Sequence, residues 1–96
     1  MSRVIKIDKD MDAASMADMR ETLDELAEAQ ENVEINMKGV EFIDSSGVGG
    51  LVFLYKRLLS SGYKLTLHNI TGQPLRLLMH LRMEGLIAPD QDGAAA

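Results

Sequence analysis

The chain contains no cysteine and no tryptophan, only two prolines, and only four aromatic residues, which are 4% of its 96 positions. Without cysteine there is neither a disulfide nor a thiolate metal site, which fits an unspecialised cytoplasmic protein. So few aromatics leave little to stack on bases or sugars. No apolar run approaches the ~20 residues of a membrane span, and the start, Met1-Ser2-Arg3-Val4-Ile5-Lys6, is too polar for a secretion signal. Two histidines far apart in sequence and carboxylates scattered along helix faces form no metal-ligand pattern. What is present is aliphatic. Hydrophobic residues make up 46% of the chain, and the core must come from Leu, Ile, Val and seven Met. This length supports one domain with a modest core.

Charge is divided unevenly. Residues 1–44 hold twelve acidic and five basic side chains, a balance of −7, whereas residues 45–96 hold three acidic and five basic, a balance of +2. An acidic half is a poor surface for nucleic acid, because phosphate neutralisation by Lys and Arg drives most such binding. Protein partners fit better, with a plain solvated helix face as the alternative.

Hydrophobic periodicity divides the chain into alternating elements. Arg3 to Ile7 reads as a strand, and Asp8 to Asp12 as a charged loop whose last residue can cap a helix. Ala13 to Ala29 places Met16, Met19, Leu23 and Leu26 on one helical face, opposite an acidic one. Val33 to Met37 alternates strictly as a second strand, and Val40 to Ile43 leads to a turn. Beyond that turn, Val48, Leu51, Val52, Tyr55, Leu58 and Leu59 mark a second helix that stops at Ser60-Ser61-Gly62. Tyr63 to Ile70 is a third strand. A third helix starts around Pro74, burying Leu75, Leu78, Met79 and Met83, and ends at Gly85. Leu86-Ile87-Ala88 is a candidate edge strand closed by Pro89, and residues 89–96 read as a disordered tail. The expected fold is α/β: a mostly parallel sheet of about four strands with helices packed on it, in the order β-α-β-α-β-α-β.

The segment Phe42-Ile43-Asp44-Ser45-Ser46-Gly47-Val48-Gly49-Gly50-Leu51 sits where one strand hands over to the second helix, beyond a carboxyl strand end, where sites in such sheets collect. Ser45 and Ser46 are placed to cap the first amides of the helix, and free amides plus the positive helix end would favour a phosphate. Gly47, Gly49 and Gly50 each cost a helix about 0.5–1 kcal/mol relative to Ala. Either they allow a neighbouring element to pack closely, or a partner's backbone approaches them. The spacing is not that of a hydrolase nucleophile elbow, and His68 and His80, the only candidate bases, fall on a strand and a helix. The Lys and Ser/Thr of a phosphate-cradling loop are missing as well.

The Phe42–Gly49 segment, between a strand and a helix, resembles the phosphorylation turn of the anti-sigma factor antagonists, the single-domain STAS proteins of bacterial partner-switching systems. Asp12 after Asp10-Met11 is similar to the acidic residue before that family's first helix, and Gly72-Gln73-Pro74-Leu75-Arg76-Leu77-Leu78 to the start of its third. The resemblance spans residues 3–88. It implies a cytoplasmic binding switch in transcription regulation rather than an enzyme, with no cofactor and no metal. An anti-sigma factor serine kinase would phosphorylate Ser45; the unmodified protein would bind that kinase and release its target, and a serine phosphatase would restore it. Asp12, Asp44, Ser46, Gly47, Val48 and Gly49 would lie at the partner contact, with Ser46 as the helix cap. Related outcomes are a partner switch with a non-sigma output (secretion, biofilm, second messenger) and a scaffold or ligand-binding STAS domain. Family members usually begin with a further strand and many end in a further helix. Their lack here implies an exposed edge, blunted by Arg3 and Lys6 or covered by self-association, and hence a monomer or weak dimer.

Overall fold

A computed structural model describes residues 2–89; of the tail expected over residues 89–96, all but residue 89 lies outside the described residues. Three strands form the sheet in the order β1 (Ser2–Lys6), β2 (Asn32–Asn36), β3 (Leu65–His68), and both pairings are parallel. Helices α1 (Ala13–Asp18) and α2 (Arg20–Glu28) connect β1 to β2, and α3 (Ser45–Ser60) connects β2 to β3. After β3 come α4 (Gly72–His80) and a 3₁₀ turn, Glu84–Leu86.

Because strand order follows chain order, right-handed crossovers all fall on one side of the sheet. The strands show the consequence. Val33, Ile35, Leu65 and Leu67 are buried, whereas Glu34, Asn36, Thr66 and His68 between them are half-exposed. The open face carries two cross-strand rows, Val4-Glu34-Thr66 and Lys6-Asn36-His68. Strict alternation in a parallel sheet is the mark of one-sided cover, since strands buried on both faces read as continuous apolar runs.

Four expectations are corrected. Among the described residues only three strands extend: the piece at Leu86-Ile87-Ala88 begins inside the 3₁₀ turn, and it reaches β3 through a single bridge, Leu67 to Ile87, with the Ala88 N–H donating to the Leu67 carbonyl at 2.9 Å. The first helix is interrupted at Met19, whose φ of −89° and ψ of −1° leave the regular helical range although its N–H still bonds the Ser15 carbonyl four residues back, and Met16, Met19, Leu23 and Leu26 are all buried. In α3 the buried row is Gly47, Leu51, Leu54 and Leu58, while Val48 and Val52 are half-buried and Tyr55 and Leu59 exposed. The helix rolls this way because Gly47 presses against the chain. Finally, α4 stops at His80 rather than Gly85, since Arg82 turns the backbone left-handed at φ 60°, and Met79 faces solvent.

Gly47 and Gly49 separate the two explanations for the glycines. A Cβ on Gly47 would lie 2.4 Å from the Met11 carbonyl oxygen and 2.5 Å from Ile43 Cγ1, so close packing requires glycine. A Cβ on Gly50 would meet only the mobile end of Met16 first, at 2.2 Å, and one on Gly49 would meet nothing within 4 Å. Gly47→Ala is therefore expected to lower unfolding free energy by about 1–3 kcal/mol, as overpacked sites do. Gly49→Ala should raise it by about 0.5–1 kcal/mol through helix propensity alone. Urea denaturation of both variants checks the contrast, and equal effects would contradict it.

Candidate partner-switch turn

The carboxyl ends of the strands lead into three loops, and short hydrogen bonds knit these together. Met11, expected in a charged loop, is fully buried and forms a parallel bridge with Ile43. Its N–H donates to the Phe42 carbonyl at 3.0 Å, and its carbonyl accepts from the Asp44 N–H at 3.2 Å. The Asp10 carboxylate accepts from the amides of Glu41 (3.3 Å) and Phe42 (3.2 Å). From the third loop, the Gln73 side chain grips Ile43 twice: its Oε1 accepts from the Ile43 N–H and its Nε2 donates to the Ile43 carbonyl, both at 2.9 Å. A primary amide carries a donor and an acceptor side by side, as a peptide group does, and so can satisfy a peptide N–H and C=O together. Gln73 thus pairs with Ile43 as a neighbouring strand would.

Directly after the bridge, both chains enter helices. Asp12 caps α1, accepting from the Ser15 N–H at 2.9 Å, and Asp44 caps α3, accepting from the amides of Ser46 (2.8 Å) and Gly47 (3.2 Å). Since Met11 pairs with Ile43 in parallel, the two capping aspartates follow side by side. The expected serine cap is corrected: α3 starts at Ser45, so the capping position falls on Asp44, whose extended backbone aims its carboxylate at the first amides. Ser45 and Ser46 occupy the first two helical positions, and both are exposed. Among the described residues no hydrogen bond holds the Ser45 hydroxyl. The amides that were to favour a phosphate already serve Asp44, so an added anion would meet a carboxylate there.

Of the sites read from sequence, Asp12, Asp44, Ser45, Ser46 and Gly49 come together at this end, with Asp12 and Asp44 half-buried and Ser45, Ser46 and Gly49 exposed. Val48 is half-buried, and Gly47 is buried beneath the turn against Met11. Beside the turn, an open groove of about 390 Å³ runs between α1, α2 and α3; it is lined by Met16, Arg20, Leu23, Asp24, Ser46 and Phe53 with Gly50. Phe42 stands exposed just ahead of the turn. The histidines are elsewhere: His68 Nε2 lies 2.8 Å from Glu34 Oε1 on the open sheet face, and His80 is exposed at the end of α4. Sequence reasoning missed Asp10, Met11 and Gln73 as the frame of the site. Only Met11 left a trace, as an apolar residue amid charges.

The family model described as STAS domain matches residues 2–92. The anti-sigma-B factor antagonist of Bacillus subtilis (strain 168) is 33% identical over 73 residues, covering 76% of this chain and 67% of that protein. A sulfate transporter family protein from Wolinella succinogenes superposes with a TM-score of 0.74 at 17% identity, over 98% of this chain and 80% of that one, a likeness of fold. Among the described residues no helix is long and apolar enough to cross a membrane.

Two tests address the frame. Gln73→Ala leaves the Ile43 peptide without its partners and should cost about 1–3 kcal/mol in chemical denaturation, with the amide signals of residues 43–47 shifting most in NMR spectra; shifts confined to α4 would refute the clamp. Asp12 is held below its ordinary value of 3.8, chiefly by the Ser15 backbone amide and then by the Ser15 hydroxyl. A lowered folded value means that the charged cap stabilises above the unfolded value and is lost as pH falls through the folded one. The stability gap between the parent and Asp12→Asn should therefore hold from about pH 6 down to about pH 4 and close on further acidification. A gap that widens in acid has the wrong sign.

Proposed function

We propose that this chain, which belongs to the STAS domain family, is an anti-sigma factor antagonist whose docking to an anti-sigma factor serine kinase is controlled by phosphorylation of Ser45. The observation that carries this reading is a free, exposed hydroxyl at the first position of α3, one residue beyond a capping aspartate, on backbone held by three loops. The anti-sigma-B factor antagonist relative supports the same role. In the forward step the Ser45 oxygen bonds to the γ-phosphorus of ATP, the bond to the bridging β–γ oxygen breaks, ADP departs, and the hydroxyl proton passes to a base of the kinase. A serine phosphatase reverses this by directing water at phosphorus, releasing inorganic phosphate.

The switch works through charge at the contact surface. A phosphoserine carries about −1.5 to −2 charges. Next to Asp44, and near Asp12, it makes this end of the molecule a dense anionic cluster. Docking would have to desolvate that cluster, and a buried charge lacking a partner costs several kcal/mol, where every 1.4 kcal/mol is a factor of ten in affinity. The fold bears little of this cost, since Ser45 is exposed and the cap is provided by Asp44. Ser46 and Gly49, beside the hydroxyl, offer the partner a low-relief surface, and Phe42 with the α1–α3 groove frames it.

Incubation with the cognate kinase and ATP should label the parent and Ser46→Ala but not Ser45→Ala, as read by mass spectrometry. Ser45→Asp should weaken kinase binding at least about tenfold while its melting temperature stays within a few degrees of the parent. Labelling of Ser45→Ala to the parent level would refute the assignment, as would undiminished binding by Ser45→Asp.

A further inference from the structure

Between α3 and the segment that follows α4 lies an open hollow of about 280 Å³. One wall is Val52, Tyr55 and Lys56, which share a face of α3 at helical spacing. The other is Arg82, Met83 and Leu86 with Gly85, running from the end of α4 into the 3₁₀ turn. The lining is mainly apolar, its charged members are both cations, and no carboxylate belongs to it. Lys56 and Arg82 are exposed, and among the described residues neither side chain has a hydrogen-bond or ion-pair partner.

Two residues of this lining are not explained by packing. Arg82 takes φ 60° just past the end of α4, where its N–H donates to the Met79 carbonyl at 3.1 Å and the Met83 N–H donates to the Leu78 carbonyl at 2.8 Å. In such a helix-ending turn glycine is the preferred residue, because left-handed backbone disfavours a Cβ. Arginine stands there all the same. Gly85 is the reverse case. Its backbone is not left-handed, and a Cβ on it would meet nothing within 4 Å, so neither strain nor crowding calls for glycine. What the missing side chain does is leave the hollow open.

We infer that this hollow binds a small amphipathic oxyanion, a short aliphatic chain with a carboxylate or phosphate head. The head pairs with the Arg82 guanidinium, whose planar fork can hold two oxygens at once, and with the Lys56 ammonium. The body lies along Val52, Met83 and Leu86 and the Tyr55 ring. Charge selects the head, since two unpartnered cations share one hollow in a chain whose net charge is −5. The lining selects the body, with Met83 able to adapt to its shape. Volume sets the size: small-molecule sites run from about 300 to 1,000 Å³, and a hollow at the bottom of that range suits several carbons rather than a dinucleotide. The site is separate from the Ser45 turn, because Val52 and Lys56 lie about 10–17 Å along α3 from Ser45 by the helical rise. It does not depend on phosphorylation there.

The test is titration of the full chain with octanoate and with octyl phosphate, followed by NMR. At least one should bind saturably and shift the methyl signals of Val52, Met83 and Leu86, and the tighter of the two names the head. Affinity should fall by up to about fourfold for each methylene removed from the chain. Octan-1-ol, which lacks the head, and inorganic phosphate, which lacks the body, should each bind at least about tenfold more weakly. Gly85→Leu should cost at least about tenfold in affinity with the fold unchanged. Arg82→Gly relieves the left-handed strain, so its urea midpoint should rise while affinity falls at least about tenfold; a purely structural arginine would not move the two in opposite directions. Ser45→Asp should bind as the parent does. Absence of saturable shifts with both ligands, undiminished affinity in Arg82→Gly, or contacts in the ligand-free chain between the Met83 methyl and residues 90–96, which would mean that the chain fills its own hollow, would overturn the proposal.

Discussion

The two hydrogen bonds between the Gln73 amide and the Ile43 peptide hold the site in place. Ile43 is fully buried yet belongs to no extended strand, so its N–H and C=O need partners that the sheet does not provide. Gln73 provides them from one side, and the Met11 bridge ties the segment from the other. With Ile43 fixed, the backbone direction into Asp44 is fixed, and with it the first turn of α3. Gly47 completes the arrangement, since a side chain there would push α3 off Met11 and Ile43 together.

This frame explains how an exposed hydroxyl can be well positioned without being held itself. The loops are anchored through buried backbone and three side chains, Asp10, Asp44 and Gln73, leaving Ser45 with no structural duty. A residue with no structural duty can be modified without loss of fold, and the energetic consequence of the modification then falls on whatever docks against it. Had Ser45 been the helix cap, phosphorylation would have removed a cap and shifted stability and binding together. With the cap on Asp44, the proposed switch would keep the two effects apart.

The fold was largely legible because strong periodicity survives packing. Val33-Glu34-Ile35-Asn36-Met37 and Leu65-Thr66-Leu67-His68 declare half-buried strands, and the same alternation states that the sheet is covered on one face only. The acidic stripe of the first helical segment was equally plain. What failed was phase and long-range contact. In α3, apolar residues fill nearly the whole circumference, so composition cannot say whether Leu54 or Tyr55 points inward; Gly47 decides it by approaching Met11 from 36 positions away. The cap was read one or two residues late, at Ser45 or Ser46, because serine and aspartate cap equally well, and only the backbone angles at Asp44 distinguish them. The Gln73 grip left no local signal: it joins residues 30 positions apart through an uncharged side chain.

The glycines show why a single explanation for a motif is too coarse. Gly47 is required by its neighbours, and Gly50 lies against the adaptable Met16 methyl, so both belong to packing. Gly49 touches nothing within 4 Å and is exposed, although alanine would suit a helix better by about 0.5–1 kcal/mol. Among the described residues no contact offsets that loss. What the missing side chain does provide is bare helix backbone on the surface, one turn beyond Ser45, where another protein can come closer than any Cβ would permit. Close packing therefore accounts for Gly47 and Gly50, and the proposed approach of a partner rests on Gly49 alone.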